Sequence, residues 1–136
     1  MTVEAAGQAT RNRLSWAQLY FTITGRATRF DYWVRFVLPY FVGIFIASFI
    51  DALTGTFDRD VGFGLLGMIF ILLMIWPSLA VGIKRCHDRD RSGWFMLLSL
   101  IPLVNIWLLI ELGFVPGMAG TNRFGPDPLG KSQLET

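Results

Sequence analysis

The chain has 136 residues, enough for one domain, and a formal net charge of +2. Apolar residues make up 53% and charged residues 16%, whereas a soluble domain contains about 45–50% and about 25%. This difference predicts a membrane protein. The small net charge excludes a strongly basic nucleic-acid-binding surface, so nucleic acid is not an expected partner. One cysteine and one histidine cannot form an internal disulfide or a structural zinc set, and no metal or cofactor is predicted.

The N-terminal residues 1–14 are polar and predict a flexible segment. Residues 1–30 lack the early apolar region of a secretory signal, so none is predicted. In the next stretch, SWAQLYFTIT, apolar residues recur with the spacing of one helix face: Trp16, Leu19, Tyr20 and Ile23. We predict a short amphipathic helix over about 15–24 that lies in the membrane interface. The alternative is that these residues extend the first transmembrane span.

Three apolar segments follow, and we predict that each spans the membrane: residues 33–50, 61–83 and 94–114. The second is the clearest, because its 23 residues carry no charge. As a helix it would be about 34 Å long, enough to cross a hydrocarbon core of about 30 Å. The third contains Pro102, Asn105 and a glutamate. It forms either one span or a re-entrant pair that breaks near the proline.

The sequence therefore predicts an all-α membrane protein, with three transmembrane helices preceded by a short interfacial amphipathic helix. The membrane domain covers 15–114, and a Gly/Pro-rich tail covers 115–136. Lys and Arg number five up to Arg35, one in 51–60, four in 84–93 and two in the tail. Because cytoplasmic segments are enriched in these residues, we predict a cytoplasmic N-terminus and 84–93 loop and an outside 51–60 loop. Three spans would place the tail outside as well.

The most highly charged stretch is KRCHDRDRSGW at 84–94. Cys86, His87 and Asp88 are the residue types of a nucleophilic triad, but consecutive residues point in different directions, so no catalytic residue is predicted. A structural ion pair between Arg35 and Asp88 is predicted, because both lie at the cytoplasmic border. The alternative for the basic residues is that they only fix the topology. As candidates for binding lipid headgroups or other anions we name Arg26, Arg29, Lys84, Arg85, His87, Arg89, Arg91 and Arg123.

Three motifs, TGRATRFDYW, KRCHDRDRSGW and GTNRFGPDP, occur in this order. On them, the chain resembles the YhaH-like bacterial inner-membrane family, domain of unknown function 805, over about Trp16 to Pro128. It departs from the family pattern at Lys84, Cys86 and Phe95, where arginine, leucine and tryptophan are common. The resemblance implies a small multi-pass protein of the bacterial inner membrane and supplies no activity. The matching residues are Gly25, Arg26, Arg29, Tyr32, Trp33, Arg85, His87, Asp88, Ser92, Gly93, Trp94, Asn122, Arg123, Gly125, Pro126, Asp127 and Pro128.

Three functions fit these features. The first is a non-enzymatic accessory or interaction module with a basic cytoplasmic face that contacts lipid headgroups. Its partners would be membrane lipids, and a second copy or another membrane protein. The second is a small oligomeric transporter or channel, which the few polar residues in the spans do not favour. The third is a membrane-border enzyme acting on a phosphorylated lipid, with His87 and Asp88 as acid–base groups. We favour the first.

Overall fold

The computed structural model describes Val3 and residues 13–129. Most of the predicted flexible segment, 1–14, and the last part of the tail, 130–136, lie outside the described residues. The part of the chain that the structure describes contains helices and no β-strand, so the all-α prediction is confirmed. In chain order the helices are α1 (Trp16–Phe21), α2 (Arg29–Thr54), α3 (Leu65–Asp88), a 3-10 helix (Gly93–Leu100) and α4 (Pro102–Phe114).

The helix α1 forms within the predicted amphipathic segment and ends earlier than predicted. A capping box starts it: Gln18 N donates to Ser15 Oγ at 3.1 Å, and Ser15 N donates to Gln18 Oε1 at 2.9 Å. Leu19 is fully buried, whereas Trp16 is 57% exposed. The Lys84 ammonium donates to the Leu19 carbonyl at 2.6 Å. One face of α1 is therefore fixed against α3, and Trp16 on the other side lies against the Arg35 guanidinium, 4.6 Å from the ring centre.

The helix α2 contains a π-helical segment, Trp33–Val37, and Pro39 explains it. Proline has no amide hydrogen, so it cannot donate to the carbonyl four residues earlier, which belongs to Arg35. That carbonyl accepts the hydroxyl of Tyr20 at 2.6 Å instead. Burial raises the pKa of Tyr20, in the same direction as a hydroxyl that donates its hydrogen. The irregular turn thereby connects α1 to α2.

The two longest helices, α2 and α3, have 26 and 24 residues. Their lengths, about 39 and about 36 Å, exceed a hydrocarbon core of about 30 Å. They correspond to the predicted spans 33–50 and 61–83. Large apolar side chains on both are exposed, among them Phe41, Phe45 and Leu73. A protein surface of this kind is expected against lipid.

The third predicted span, 94–114, is not one helix. The 3-10 helix ends at Leu100, and α4 begins at Pro102. Proline removes a backbone donor and disfavours the helical conformation in the residue before it. Ile101 accordingly has extended angles, φ −94° and ψ 116°. With 13 residues, α4 is about 20 Å long and too short to cross the hydrocarbon core.

Both ends of this segment lie beside the same end of α3. Gly93 packs against Ile83 at one end, and at the other end the Leu112 carbonyl accepts from Arg85 Nε at 2.6 Å. The segment is therefore a helical hairpin and not one continuous helix, and the chain leaves it on the side where α2 begins. The structure therefore does not confirm three full spans, and the tail contacts the end of α3, where Asn122 Nδ2 donates to the His87 carbonyl at 2.8 Å.

The core follows the central helix α3, which contacts every other helix. One cluster consists of Val81 with Leu19, Ala27 and Phe36, and the other of Cys86 with Leu108 and Leu112. The first joins α3 to α1 and α2, and the second joins it to α4. Both clusters lie in the C-terminal third of α3, where the charged residues are also concentrated.

Candidate functional site

The polar side chains converge at the C-terminal end of α3. We call this region the charged cap and define it as residues 25–35, 84–91 and 111–127. The last turn of a helix exposes carbonyl groups with partial negative charge, which favour cations nearby. The structure brings the three sequence motifs together here, and the contacts below show how.

Asp88 lies at the centre of the charged cap and is only 4% exposed. Its Oδ2 accepts from Arg85 Nη1 at 2.8 Å, and its Oδ1 accepts from Arg26 Nε at 3.1 Å. Both arginines are buried too. Two guanidinium groups around one carboxylate leave an excess positive charge, and their remaining N–H groups need further acceptors, because an unpaired buried donor is costly.

Backbone carbonyls supply these acceptors to Arg85. Its Nε donates to Leu112 at 2.6 Å, its Nη1 to Ala27 at 3.2 Å and its Nη2 to Val115 at 3.0 Å. Leu112 belongs to the last turn of α4, and the other two lie in irregular segments. None of these carbonyls can complete a regular helical hydrogen bond at its position. One buried side chain thus connects α3 to the start of α2 and to the end of the hairpin.

Arg26 does the same for the tail. Its Nη1 donates to the carbonyls of Gly120 at 2.6 Å and Gly125 at 3.4 Å, and its Nη2 donates to that of Met118. The Met118 amide in turn donates to the Asp88 carbonyl at 2.7 Å. The glycine-rich tail is therefore held by the first and second motifs together.

His87 is held between the first and third motifs. Its Nδ1 lies 3.0 Å from the Gly25 carbonyl, and since a carbonyl can only accept, Nδ1 carries the hydrogen. The imidazole stacks on Phe124 with ring centres 3.9 Å apart and planes 3° from parallel. Asn122 Nδ2 donates to the His87 carbonyl at 2.8 Å. The tail motif thus covers the histidine.

The three consecutive residues with triad chemistry have separate surroundings. Cys86 is fully buried in the apolar cluster with Leu108 and Leu112, His87 bonds to the Gly25 carbonyl, and Asp88 binds two arginines. The three side chains therefore do not form a nucleophile–base–acid relay with one another.

Glu111 forms a second ionic centre that sequence reasoning missed. Its Oε1 accepts from Arg89 Nη2 at 2.7 Å and lies 3.0 Å from Arg91 Nη2. Arg89 Nη1 also donates to the Pro116 carbonyl at 3.0 Å. A signal was present in the sequence. If the third apolar segment turns back at Pro102, Glu111 near its end comes close to the arginines that precede the segment.

The predicted ion pair between Arg35 and Asp88 does not form. Arg35 Nη1 pairs with Asp31 Oδ1 at 2.7 Å, and Asp88 pairs with Arg26 and Arg85. Asp31 and Arg35 are four residues apart, the spacing at which side chains on one helix meet. That local signal outweighs a partner that is more than fifty residues away in sequence.

The candidate anion-binding residues divide into two groups. Arg26, Lys84 and Arg85 are at most 3% exposed and bind protein acceptors, so they do not reach a headgroup, contrary to the prediction. His87 is 8% exposed, and Arg89 and Arg91 pair with Glu111. Headgroup binding stays a prediction for the exposed ones, Arg29 and Arg123.

A cleft of about 500 Å³ opens on the surface of the charged cap. Arg13 and Arg29 lie on it and are both exposed. Arg29 Nη1 donates to the Phe114 carbonyl at 3.1 Å, and the Arg13 guanidinium lies 5.1 Å from the centre of the Phe30 ring. Sequence reasoning missed Arg13, which no motif marks. The cleft is lined by Arg13, Thr28, Arg29, Phe30, Trp33, Gly113, Phe114 and Leu129.

The family model described as "Protein of unknown function (DUF805)" matches residues 20–126 of the chain. This range includes all three motifs up to Pro126 and every residue that contacts Asp88 through its side chain. The chain belongs to the DUF805 family. The resemblance noted in the sequence is thereby confirmed.

Similar proteins carry names that agree with this assignment. Inner membrane protein YhaH of Escherichia coli (strain K12) is 39% identical over 109 residues, covering 80% of this chain and 88% of YhaH. Inner membrane protein YhaI of the same strain is 35% identical over 116 residues, covering 85% and 92%. Uncharacterized protein YiiR, also from this strain, is 29% identical over 135 residues, covering 81% and 88%. No solved structure matches this chain.

The DUF805 relatives named as inner membrane proteins support an inner-membrane location for this chain. The two long apolar helices fit that location. In this DUF805 protein the motif residues mainly bind one another, which gives the motifs a structural role in closing the charged cap.

Proposed function

We propose that this DUF805 protein is a non-enzymatic membrane module whose charged cap faces the cytoplasm and binds the headgroups of anionic phospholipids. The observation that carries the proposal is the cleft, in which two exposed arginines lie beside aromatic and aliphatic side chains. Guanidinium groups bind phosphate oxygens well. The apolar lining suits the glycerol and upper acyl part of the same lipid.

The position of the cleft supports this ligand. It lies where α2 begins and α4 ends, at one end of the two long helices, which is the level of the headgroups if those helices cross the bilayer. Trp33 lines it and donates its indole N–H to the Gly113 carbonyl at 2.7 Å. Tryptophan is enriched at this depth, because its ring is apolar and its N–H is polar.

The chemistry of Arg29 also supports a phosphate ligand. Its bond to the Phe114 carbonyl uses one nitrogen and fixes the side chain at the edge of the cleft. Among the residues that the structure describes, its other nitrogens have no acceptor within hydrogen-bonding distance. A fixed guanidinium with free N–H groups can bind two oxygens of one phosphate.

The test is the stabilisation of the purified protein by lipid. The midpoint of thermal unfolding in a neutral detergent would be measured with added phosphatidylglycerol or phosphatidylcholine. We expect a larger rise with phosphatidylglycerol, and the double variant Arg13→Gln, Arg29→Gln should lose at least half of that difference. Arg59→Gln is the matched control, because Arg59 is exposed at the opposite end of the molecule.

Two outcomes would contradict the proposal. One is an equal response to both lipids in the unchanged protein. The other is an Arg59→Gln effect as large as that of the double variant, which would indicate nonspecific attraction to charge. Raising the ionic strength should reduce the response, because exposed charges are screened within about 10 Å at 0.1 M salt.

The proposed orientation has its own test. Single cysteines at Ala17, Thr121 and Asp60, all exposed positions, would be labelled in intact cells and in inverted vesicles with an impermeant thiol reagent. The native Cys86 is fully buried and should stay unlabelled. We expect Ala17→Cys and Thr121→Cys to react from the cytoplasmic side and Asp60→Cys from outside. Labelling of the first two from opposite sides would contradict a re-entrant hairpin.

A further inference from the structure

A second cleft, of about 400 Å³, lies between α3 and the 3-10 helix. We call it the apolar cleft. Leu79 and Ile83 of α3 and Met96 and Leu97 of the 3-10 helix form most of its walls. Apart from the largely exposed indole of Trp94, its polar side chains are those of His87 and Ser92. It shares no lining residue with the cleft that carries the two exposed arginines.

The two polar side chains lie at one end of the apolar cleft. His87 belongs to the last turn of α3, and Ser92 is the N-cap of the 3-10 helix. Leu79 precedes His87 by eight positions, which places it about 12 Å further along α3. If α3 crosses the bilayer, the polar end of the cleft is at the border and the rest extends into the hydrocarbon core. An occupant from the membrane would therefore place its polar head against His87.

His87 offers this occupant a hydrogen-bond acceptor. Its side chain is mostly buried, and its Nδ1 carries the hydrogen for the Gly25 carbonyl. Burial and the cation of Lys84, one turn earlier, both disfavour a charged imidazole, so Nε2 has a lone pair and no hydrogen. Nε2 has no hydrogen-bond partner among the described residues. It is not sealed inside the protein either, because the one buried side-chain nitrogen or oxygen without a partner in that part of the chain is Arg89 Nε.

Ser92 offers the complementary donor. Its Oγ accepts the Trp94 amide at 3.4 Å, and its own hydrogen has no acceptor within the described part of the chain. No hydrogen bond joins Ser92 to His87 there, so each group requires a partner from outside. A hydroxyl group can donate to Nε2 and accept from Ser92, whereas an ether, an ester or a carboxylate can only accept. The chemistry of the polar end therefore selects a hydroxyl head.

We propose that the apolar cleft binds a neutral lipid that has a hydroxyl head and a single apolar chain. The hydroxyl donates to His87 Nε2 and accepts from Ser92 Oγ, and the chain lies along α3 toward Leu79. A volume of about 400 Å³ is near the lower end of ligand sites, which cover about 300–1,000 Å³. This size suits one chain better than the two chains of a phospholipid. The inference does not depend on the headgroup site.

Photo-crosslinking of the purified full chain in phosphatidylcholine nanodiscs tests the site. The probe is hexadecanol with a diazirine in its chain, and mass spectrometry locates the labelled residues. We expect more label on Leu79, Ile83 and Leu97 than on Phe41 and Phe45, which are exposed on α2. Dodecanol should displace the probe. Its methyl ether, which has no hydrogen to donate, should do so about three- to tenfold less well, because one hydrogen bond is lost.

The variant His87→Asn separates the two ring nitrogens. The asparagine amide nitrogen takes the place of Nδ1 and can still donate to the Gly25 carbonyl, but no acceptor replaces Nε2. Dodecanol should then lose its advantage over the ether. Ser92→Ala removes the donor and should weaken both competitors. Because Ser92 is exposed, this variant gives a result even if His87→Asn does not fold.

Filling the cleft tests its location. Leu79→Trp places a larger side chain in the cleft and should reduce the labelling of the other lining residues by more than half. Leu72→Trp is the matched control, because Leu72 lies two turns earlier on the same side of α3 and is also exposed. The midpoint of thermal unfolding would show that each variant is folded.

Four results would overturn the proposal. The label could be spread equally over the cleft and the exposed face of α2, which would show ordinary contact with lipid. Dodecanol and its ether could compete equally with the unchanged protein. Laurate could compete better than dodecanol, which would show that the polar end binds anions. Leu79→Trp could reduce the labelling no more than Leu72→Trp does.

Discussion

The two ends of α3 are closed by charges of opposite sign. At the N-terminal end a single carboxylate, that of Asp51, accepts the amide hydrogens of Leu66 at 3.0 Å and Gly67 at 2.8 Å. It also accepts the hydroxyl of Thr56 at 2.7 Å. At the C-terminal end, in the charged cap, the guanidinium groups of Arg85 and Arg26 donate to backbone carbonyls and to Asp88.

The comparison shows that charge sign follows the direction of the helix. Amides at a helix N-terminus favour an anion and carbonyls at a C-terminus favour a cation. The N-terminal end needs only one carboxylate, because one short loop, 55–64, closes it. The charged cap needs several arginines, because the chain passes there three times in irregular conformations that leave carbonyls without partners. Arginines near the end of a long apolar helix can therefore stabilise the fold, in addition to any effect on the orientation of the helix in the membrane.

The largest effect is expected from Arg85→Leu. The change leaves three carbonyls without their donor and Asp88 with one arginine, and losing one partner of a buried pair costs about 3–5 kcal/mol. The midpoint of thermal unfolding in detergent should fall clearly, and Arg85→Lys, which keeps the charge, should fall less. A midpoint for Arg85→Leu equal to that of the unchanged protein would show that the charged cap is not stabilised in this way.

An intermediate effect is expected from one glycine at each end. A Cβ on Gly117 would overlap the Asp88 carboxylate, and a Cβ on Gly64 would lie 2.6 Å from Asp51 Cγ. Because added atoms in a filled site force their neighbours to move, each alanine variant should cost about 1–3 kcal/mol. The same unfolding measurement checks this, and we expect Gly117→Ala to lose more because its overlap is closer.

Gly62→Ala provides a separate comparison, because Gly62 has a positive φ and neither Gly64 nor Gly117 has one. It adds a Cβ to open space at φ +87°, so it reports backbone strain without a contact to a carboxylate. If Gly117→Ala and Gly64→Ala were as stable as the unchanged protein, the carboxylate at each end would have more room than the structure gives it.

The sequence predicted the local features of this fold better than the distant ones. The all-α class and the two long helices follow from apolar segments, and the short helix α1 follows from the spacing of its apolar residues. The break before Pro102 stayed an alternative, because proline can also kink a continuous transmembrane helix. Only the three-dimensional structure decides between these outcomes.

The charged cap was harder to predict, for a physical reason. Arg26 and Asp88 are 62 positions apart, and no local spacing connects them. Most acceptors of the buried arginines are backbone carbonyls, which every residue has, so side-chain identities do not reveal them. The sequence therefore indicated a charged region without showing which arginines face inward.

The smallest effect is expected from Arg123→Gln, which compares an exposed ion pair with the buried ion pairs of the charged cap. Arg123 Nε lies 3.2 Å from Asp90 Oδ1, as in the buried pairs, but its side chain is 65% exposed. Exposed pairs contribute about 0.2–1 kcal/mol, because water already solvates both charges. The midpoint of thermal unfolding should therefore change little, and the change should decrease further in 1 M salt. A loss as large as that of Arg85→Leu would mean that the tail motif holds the charged cap through Arg123 as well as through the stacked His87 and Phe124 rings. In that case the exposure of an arginine would not show whether its role in this protein is structural or in binding.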